Sequence, residues 1–308
     1  MAVYKRNYRT YTGVVTNPVW RFFVLTRYAI ADIFSVRFFG AGFVLCFLPA
    51  LFCASYVYVS HSEVAQAMLN MKSNFMPAVD SRFFINLLRI EGFLAFALAC
   101  QTAPGLIAAD LANNALPLFF SRPISRAEYV LGKMAAILIL LSCITWIPGL
   151  LVFALQVNLD THAWFAANWW IATSFFTGAL IWIVLLALLA LAISAWVKWR
   201  IVASLSMVMF FFVPAGMGEI FNAVTRTPWG RLLNFSYLIT VIWSDLFNDV
   251  LNFRASVIRG PRIHGVRPSS LIDQNIPVEM AWIAVLAFCT FCLWMLHQKL
   301  RAREVVRG

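Results

Sequence analysis

Apolar residues in this chain fall in long runs separated by short polar stretches. A helix needs about 20 apolar residues, at about 1.5 Å each, to cross a hydrocarbon core of about 30 Å. Six segments qualify. They are Phe38 to Val59, Phe83 to Ala109, Met134 to Gln156, Trp169 to Trp196, Ile201 to Gly218 and Val278 to Leu296. The fifth is the shortest. A further apolar stretch, Leu232 to Leu251, is interrupted by Asp245 and Asp249. A lipid-exposed carboxylate pair is costly, so this stretch reads as interfacial or re-entrant and not as a crossing. The pattern predicts an all-α membrane protein with six transmembrane helices in one domain, residues 1–308. Its parts are an N-terminal tail and interfacial helix (1–37), spans one to five (38–218), an outer loop (219–277), and span six with its tail (278–308).

Composition supports this. Hydrophobic residues make up 62% and charged residues 12%, against about 25% charged in an ordinary soluble domain. Mean hydropathy is +0.80. A disordered chain and a collagen-like chain are excluded, and the composition argues against a soluble enzyme, because it leaves too little polar surface to coat so apolar a core. The net charge of +11 does not call for nucleic acid, because Lys and Arg sit at the ends of the apolar runs. With the N-terminus inside, fifteen Lys and Arg lie on the inner side and eight on the outer, with Arg89 inside the second run. That bias puts both termini in the cytoplasm. Residues 1–37 are basic and aromatic and carry no cleavable signal, so insertion is expected through an uncleaved first span.

Asn17 and Pro18 read as an N-cap and first helical residue. Trp20 to Arg37 mixes aromatics with charges and predicts a helix at the cytoplasmic interface, or else an extension of the first span. Six cysteines lie within apolar runs and read as packing residues, including the Cys289/Cys292 pair. Trp164, Trp169 and Trp170 mark one boundary of the fourth span, and Trp196 and Trp199 the other. Pro104, Pro148 and Pro214 fall within spans and are expected to kink them. Arg89 and Glu91 are the charges inside a span. They are two residues apart and so on different helix faces. Either they snorkel near the outer boundary or they mark the outer end of a translocation path. No G-x-x-x-x-G-K-[ST] loop, H-E-x-x-H pair or G-x-S-x-G elbow is present. The chain is therefore not expected to be an enzyme, to bind a metal or to hydrolyse ATP.

The inner loop after the second span is the most informative segment. Ser125 and Glu128 form an S-x-x-E capping box, which starts the third helix at Ser125, ahead of the membrane. Pro123 biases Arg122 away from helical geometry. Asp110 to Phe120 places Leu111, Leu116, Leu118, Phe119 and Phe120 beside Asp110, Asn113 and Asn114. A short amphipathic helix there either lies on the membrane or docks on a cytoplasmic partner.

The run Ser121-Arg122-Pro123-Ile124-Ser125-Arg126, followed by Tyr129 and Gly132-Lys133, resembles the cytoplasmic loop of ABC-2 type transporter permeases. In that family an acidic residue leads a short helix, and a Gly-Lys opens the third span. The six-span layout agrees. The resemblance implies a permease subunit of an ATP-binding-cassette exporter, located in a bacterial inner membrane. It further implies a separate cytoplasmic ATPase that carries the ATP and Mg, and a second permease protomer, identical or not. Asp110 to Phe120 is then the coupling helix, and Ser121, Arg122, Pro123, Ser125 and Arg126 its flanking turn. Residues 18–37 become the interfacial helix at the gate. The Arg-rich stretch Arg254 to Arg267 is less usual for the family. It reads as a solvated loop or as a contact for anionic headgroups, an acidic substrate or an extracytoplasmic partner. A stand-alone secondary transporter or channel is the alternative. The uncharged cores of spans three and four weigh against it.

Overall fold

The computed structural model describes residues 20–68, 77–108, 110, 113, 125–197, 199–249 and 276–301. Every element among them is helical. Among the described residues, six helical segments are long and apolar enough to cross a membrane.

The first crossing is preceded by α1, Arg21–Ser35. Val36 then adopts an extended conformation, φ −85° and ψ 107°, so α1 is a separate helix and not a continuation of the first crossing. That crossing is itself two helices, α2 (Arg37–Leu45) and α3 (Leu48–His61), joined where Pro49 begins a new first turn. A short α4, Glu63–Met68, follows. The second crossing is α5, Ser81–Leu106, whose N-cap Asp80 accepts from the amides of Arg82 and Phe83.

The third crossing is also broken. α6 (Arg126–Ile144) stops at Thr145, whose φ −116° and ψ −98° are not helical, and α7 (Trp146–Leu159) resumes. Pro148 supplies the reason: it lacks an N–H, and its ring excludes the carbonyl of Ile144 from a helical position. Pro214 instead sits inside an unbroken helix. α8 runs from His162 to Trp196. α9, Arg200–Thr225, is longer than the apolar run alone predicts because its last turns carry Glu219 and Asn222. The last crossing, numbered α11 because a shorter helix precedes it, is Val278–Arg301.

α8 is the axis of the bundle. Residues 185 to 192 are all buried, so this stretch is enclosed on every side, as a helix apolar all round should be. α5, α6, α7 and α11 pack on it. The first, fifth and sixth candidate crossings keep large apolar side chains exposed, such as Phe52, Ile201 and Leu286.

Within the stretch from Leu232 to Leu251, the described residues 232–249 have the shape of a hairpin arm. After α9 the chain turns at Arg226, φ 54°, and enters the bundle again as a 3-10 turn, Pro228–Leu233. It then leaves as α10, Phe235–Leu246, which is 12 residues long. That is about 18 Å, too short to cross. Gly218 and Gly230 touch backbone to backbone where the turn passes α9, and the Gly230 amide donates to Asn222 Oδ1 at 2.7 Å. The inner end of α10 rests on rings: Phe235 lies 5.3 Å from Phe210 and 4.4 Å from Phe288, centroid to centroid. Its other end is fastened by Ser81 Oγ, donating to Phe247 O, and Ser174 Oγ, donating to Leu246 O.

Candidate functional site

Two places gather chemistry. The first is at the end of the bundle where α5 finishes and α6 begins. Ser194 of α8, fully buried, accepts from the amides of Ile107 and Ala108 at 3.0 Å each. This fixes the point at which the chain leaves α5, and Asp110 follows at once. Asp110 Oδ2 accepts from Tyr129 Oη at 2.6 Å and lies 2.9 Å from Lys133 Nζ. Tyr129 and Lys133 are one helical turn apart on α6 and so face the same way. Tyr129 is fully buried, and the Lys133 ammonium lies 5.8 Å from its ring centre. A carboxylate, a phenol and an ammonium thus close one charge-assisted network in a nearly dry setting.

α1 completes this site. Leu25, Ala29 and Ile33, four residues apart, form its buried face. Gly132 lets that face approach: a Cβ there would stand 2.8 Å from Phe22 O and 3.0 Å from Leu25 Cβ. Thr26 Oγ1 donates to Gly132 O at 2.9 Å. The Gly-Lys pair therefore has two separate jobs. The glycine admits α1, and the lysine holds Asp110.

Ser125 caps α6 as its capping box requires. Its hydroxyl accepts from the Glu128 amide at 3.2 Å, and Glu128 Oε2 accepts from the Ser125 amide at 2.6 Å. Arg126 is the first residue of α6, and Asn113 is exposed. Leu111, Asn114, Leu116, Phe119, Phe120, Ser121, Arg122 and Pro123 lie outside the described residues, as do Asn17, Pro18 and the stretch from Arg254 to Arg267.

The second place is a cleft of about 370 Å³ between α5, α8, α9 and α10. Two glycines shape its wall. Trp182 Nε1 donates to Gly92 O at 2.8 Å, and Trp243 Nε1 to Gly178 O at 2.9 Å. Each buried indole thereby finds a backbone carbonyl that no Cβ shields. The two indoles meet edge to face at 6.1 Å. Phe93, Phe96 and Phe211 add apolar lining, and Asn234, Ser236 and Thr240 polar points. Ser236, Thr240 and Trp243 recur at i, i+4 and i+7, a face that was readable in the sequence but masked by the apolar composition around it.

Arg89 lines this cleft. Its Nη1 donates to Asn86 Oδ1 at 3.1 Å, and its buried Nε has no partner among the described residues. Glu91 differs from the snorkelling expectation. It sits about 15 Å along α5 from Ser81, is 0% exposed, and neither carboxyl oxygen has a partner among the described residues. Because α8 and the first crossing close over α5, the boundary inferred from hydropathy does not give Glu91 access to water. Among the described residues no three His, Cys, Asp or Glu side chains come together as a metal site would need.

No protein-family model matches the chain, and no curated protein matches it.

Proposed function

We propose that this chain is the membrane subunit of an ATP-driven exporter of the ABC-2 type, working with a separate cytoplasmic ATPase and a second membrane protomer. The observation that supports it most is the fastening of Asp110 to Tyr129 and Lys133. A loop that passes on force needs ends that do not slip. Here the segment between Asp110 and Ser125 starts at a carboxylate locked to α6 and finishes in a capping box on the same helix. α1 is seated on that helix at Gly132. A push on the loop would therefore be felt by α5, α6 and α1 together, and through them by α8. ATP and Mg belong to the ATPase in this reading. Residues 110–126 are its docking contact, α1 lies at the inner membrane interface, and α10 with its 3-10 turn is a re-entrant hairpin on the outer side.

The test is co-purification with the ATPase encoded beside this protein, followed by ATP hydrolysis in lipid nanodiscs. Reversing Arg122 and Arg126 to Glu should cut complex formation or stimulated hydrolysis about tenfold, with expression unchanged. Equal binding by the variant would remove the loop from the mechanism. One observation favours a second reading. A fully buried, unpartnered carboxylate within a span is what ion-coupled carriers use, and Glu91 has no partner among the described residues. Transport by the purified chain under a proton gradient, without any ATPase and lost in Glu91→Gln, would establish that reading instead.

A further inference from the structure

We infer that the cleft between α5, α8, α9 and α10 is a binding site for a single-chain anionic amphiphile, an acyl or aryl tail ending in a carboxylate or a comparable oxyanion. Four features of the cleft carry this. Its lining is mostly apolar and rich in aromatic rings, as an apolar tail requires. An indole N–H does not compete for the ligand, because both indoles are already bonded. The cleft holds one cation among its lining residues, Arg89, which bonds the neutral Asn86 and pairs with no carboxylate among the described residues. Its polar points, Asn234, Ser236 and Thr240, lie along α10 and its N-cap, across from the α5 side that carries Arg89. An anionic head at Arg89 and a tail among Phe96 and Phe211 match the charge and the apolar lining of the cleft.

Charge and size choose among occupants. The undescribed stretch from residue 250 to 275 contains Arg254, Arg259, Arg262 and Arg267 against one acid, Asp273. It brings the same sign as Arg89 and is the wrong complement. A neutral sterol-like body leaves the Arg89 charge without a counter-ion in the cleft. At about 370 Å³ the cleft is near the lower end of the usual ligand range, about 300–1,000 Å³. That fits one chain with its head and is small for a two-chain phospholipid. As a binding site the cleft stands on this chain alone. Only its use as a stage of export rests on the function proposed above.

The experiment uses the full chain in nanodiscs of neutral phosphatidylcholine, with a diazirine-bearing palmitate as the probe. Crosslinks are mapped by peptide, and labelling is competed with palmitate, hexadecanol, or phosphatidylglycerol built into the disc. Saturable labelling on α9 or α10, displaced by palmitate at about tenfold lower concentration than by hexadecanol, is the expected result. Arg89→Gln should weaken it at least about tenfold, and Arg89→Lys should recover part of that. Ala215→Phe, which fills the cleft without touching its charge, should abolish it, so the idea stays testable even where an Arg89 variant fails to fold. Equal displacement by hexadecanol would overturn the proposal. So would full displacement by phosphatidylglycerol, which would make the site a bilayer-lipid site, or labelling unchanged in both Arg89→Gln and Ala215→Phe. No ATPase is present, so a failure here leaves the coupling-loop reading untouched.

Discussion

At the scale of single residues, the contacts around Asp110 separate what an ion pair contributes from what its loss costs. Lys133 and Asp110 are mostly buried. Removing one partner strands the other charge, at about 3–5 kcal/mol, whereas removing both is far milder. Lys133→Met alone, and Asp110→Asn alone, should lower thermal stability strongly. The double variant should recover most of it, with the Tyr129 hydroxyl still able to donate to the carboxamide oxygen introduced at position 110. Measured by melting in nanodiscs, additive losses in the double variant would mean that the pair does not act as a unit. The capping box at Ser125 and Glu128 was legible in full, because its signal is local in sequence. The Tyr129/Lys133 face was half legible: the spacing was visible, but the carboxylate it serves comes from outside that helix. Ser194 gave no warning. A serine in an apolar run reads as a packing residue until the chain end it caps is known.

Among elements, glycines decide which helices approach closely. Gly230 and Gly218 are the clearest case, since each faces the other's backbone with no room for a Cβ. Gly230→Ala should push the 3-10 turn away from α9 and break the bond to Asn222. A destabilisation of about 1–3 kcal/mol is expected for such overpacking. Because α10 is the continuation of that turn, labelling of the cleft by the palmitate probe should fall too, while association with the ATPase stays normal. Loss of both activities together would place the hairpin in the coupling route. The hydropathy of residues 232–251 foretold a short, non-crossing helix, and α10 is one. Its depth and direction were not legible, because they depend on ring contacts with Phe210 and Phe288, far away in sequence. The break at Thr145 follows from Pro148, whereas Pro214 breaks nothing. A proline shows where a helix is free to bend, and packing decides whether it does.

For the whole molecule, six helices long and apolar enough to cross a membrane were legible from run length alone, since hydrocarbon thickness sets that length. The nesting was only partly legible. An all-apolar fourth run implies a central helix, and α8 is central. Nothing in the runs themselves told α5 and α6 apart from α9 and α11, because lipid and protein interior select similar side chains. Topology has a direct check. Asn248 and Ser35 are exposed at opposite ends of the bundle. With the charge bias as a guide, a cysteine at 248 should react with an impermeant maleimide in intact cells, and one at 35 only after permeabilisation. The reverse pattern would invert the orientation.

The hairpin also bears on how the chain is made. α10 rests against Phe288 of α11, which is synthesised after it, with residues 247–277 emerging in between. Until α11 arrives, the Phe235 end of α10 lacks part of its seat. A 12-residue helix is also too short to be held across the bilayer by itself. Biogenesis should therefore pass through a stage with five crossings inserted and the hairpin unseated, which is a natural client for a membrane chaperone or a quality-control protease. A ribosome-stalled chain ending before residue 278 would be caught in that state, with residues 228–246 open to cleavage from the outer side. Release of the sixth helix would then close the fold in one step.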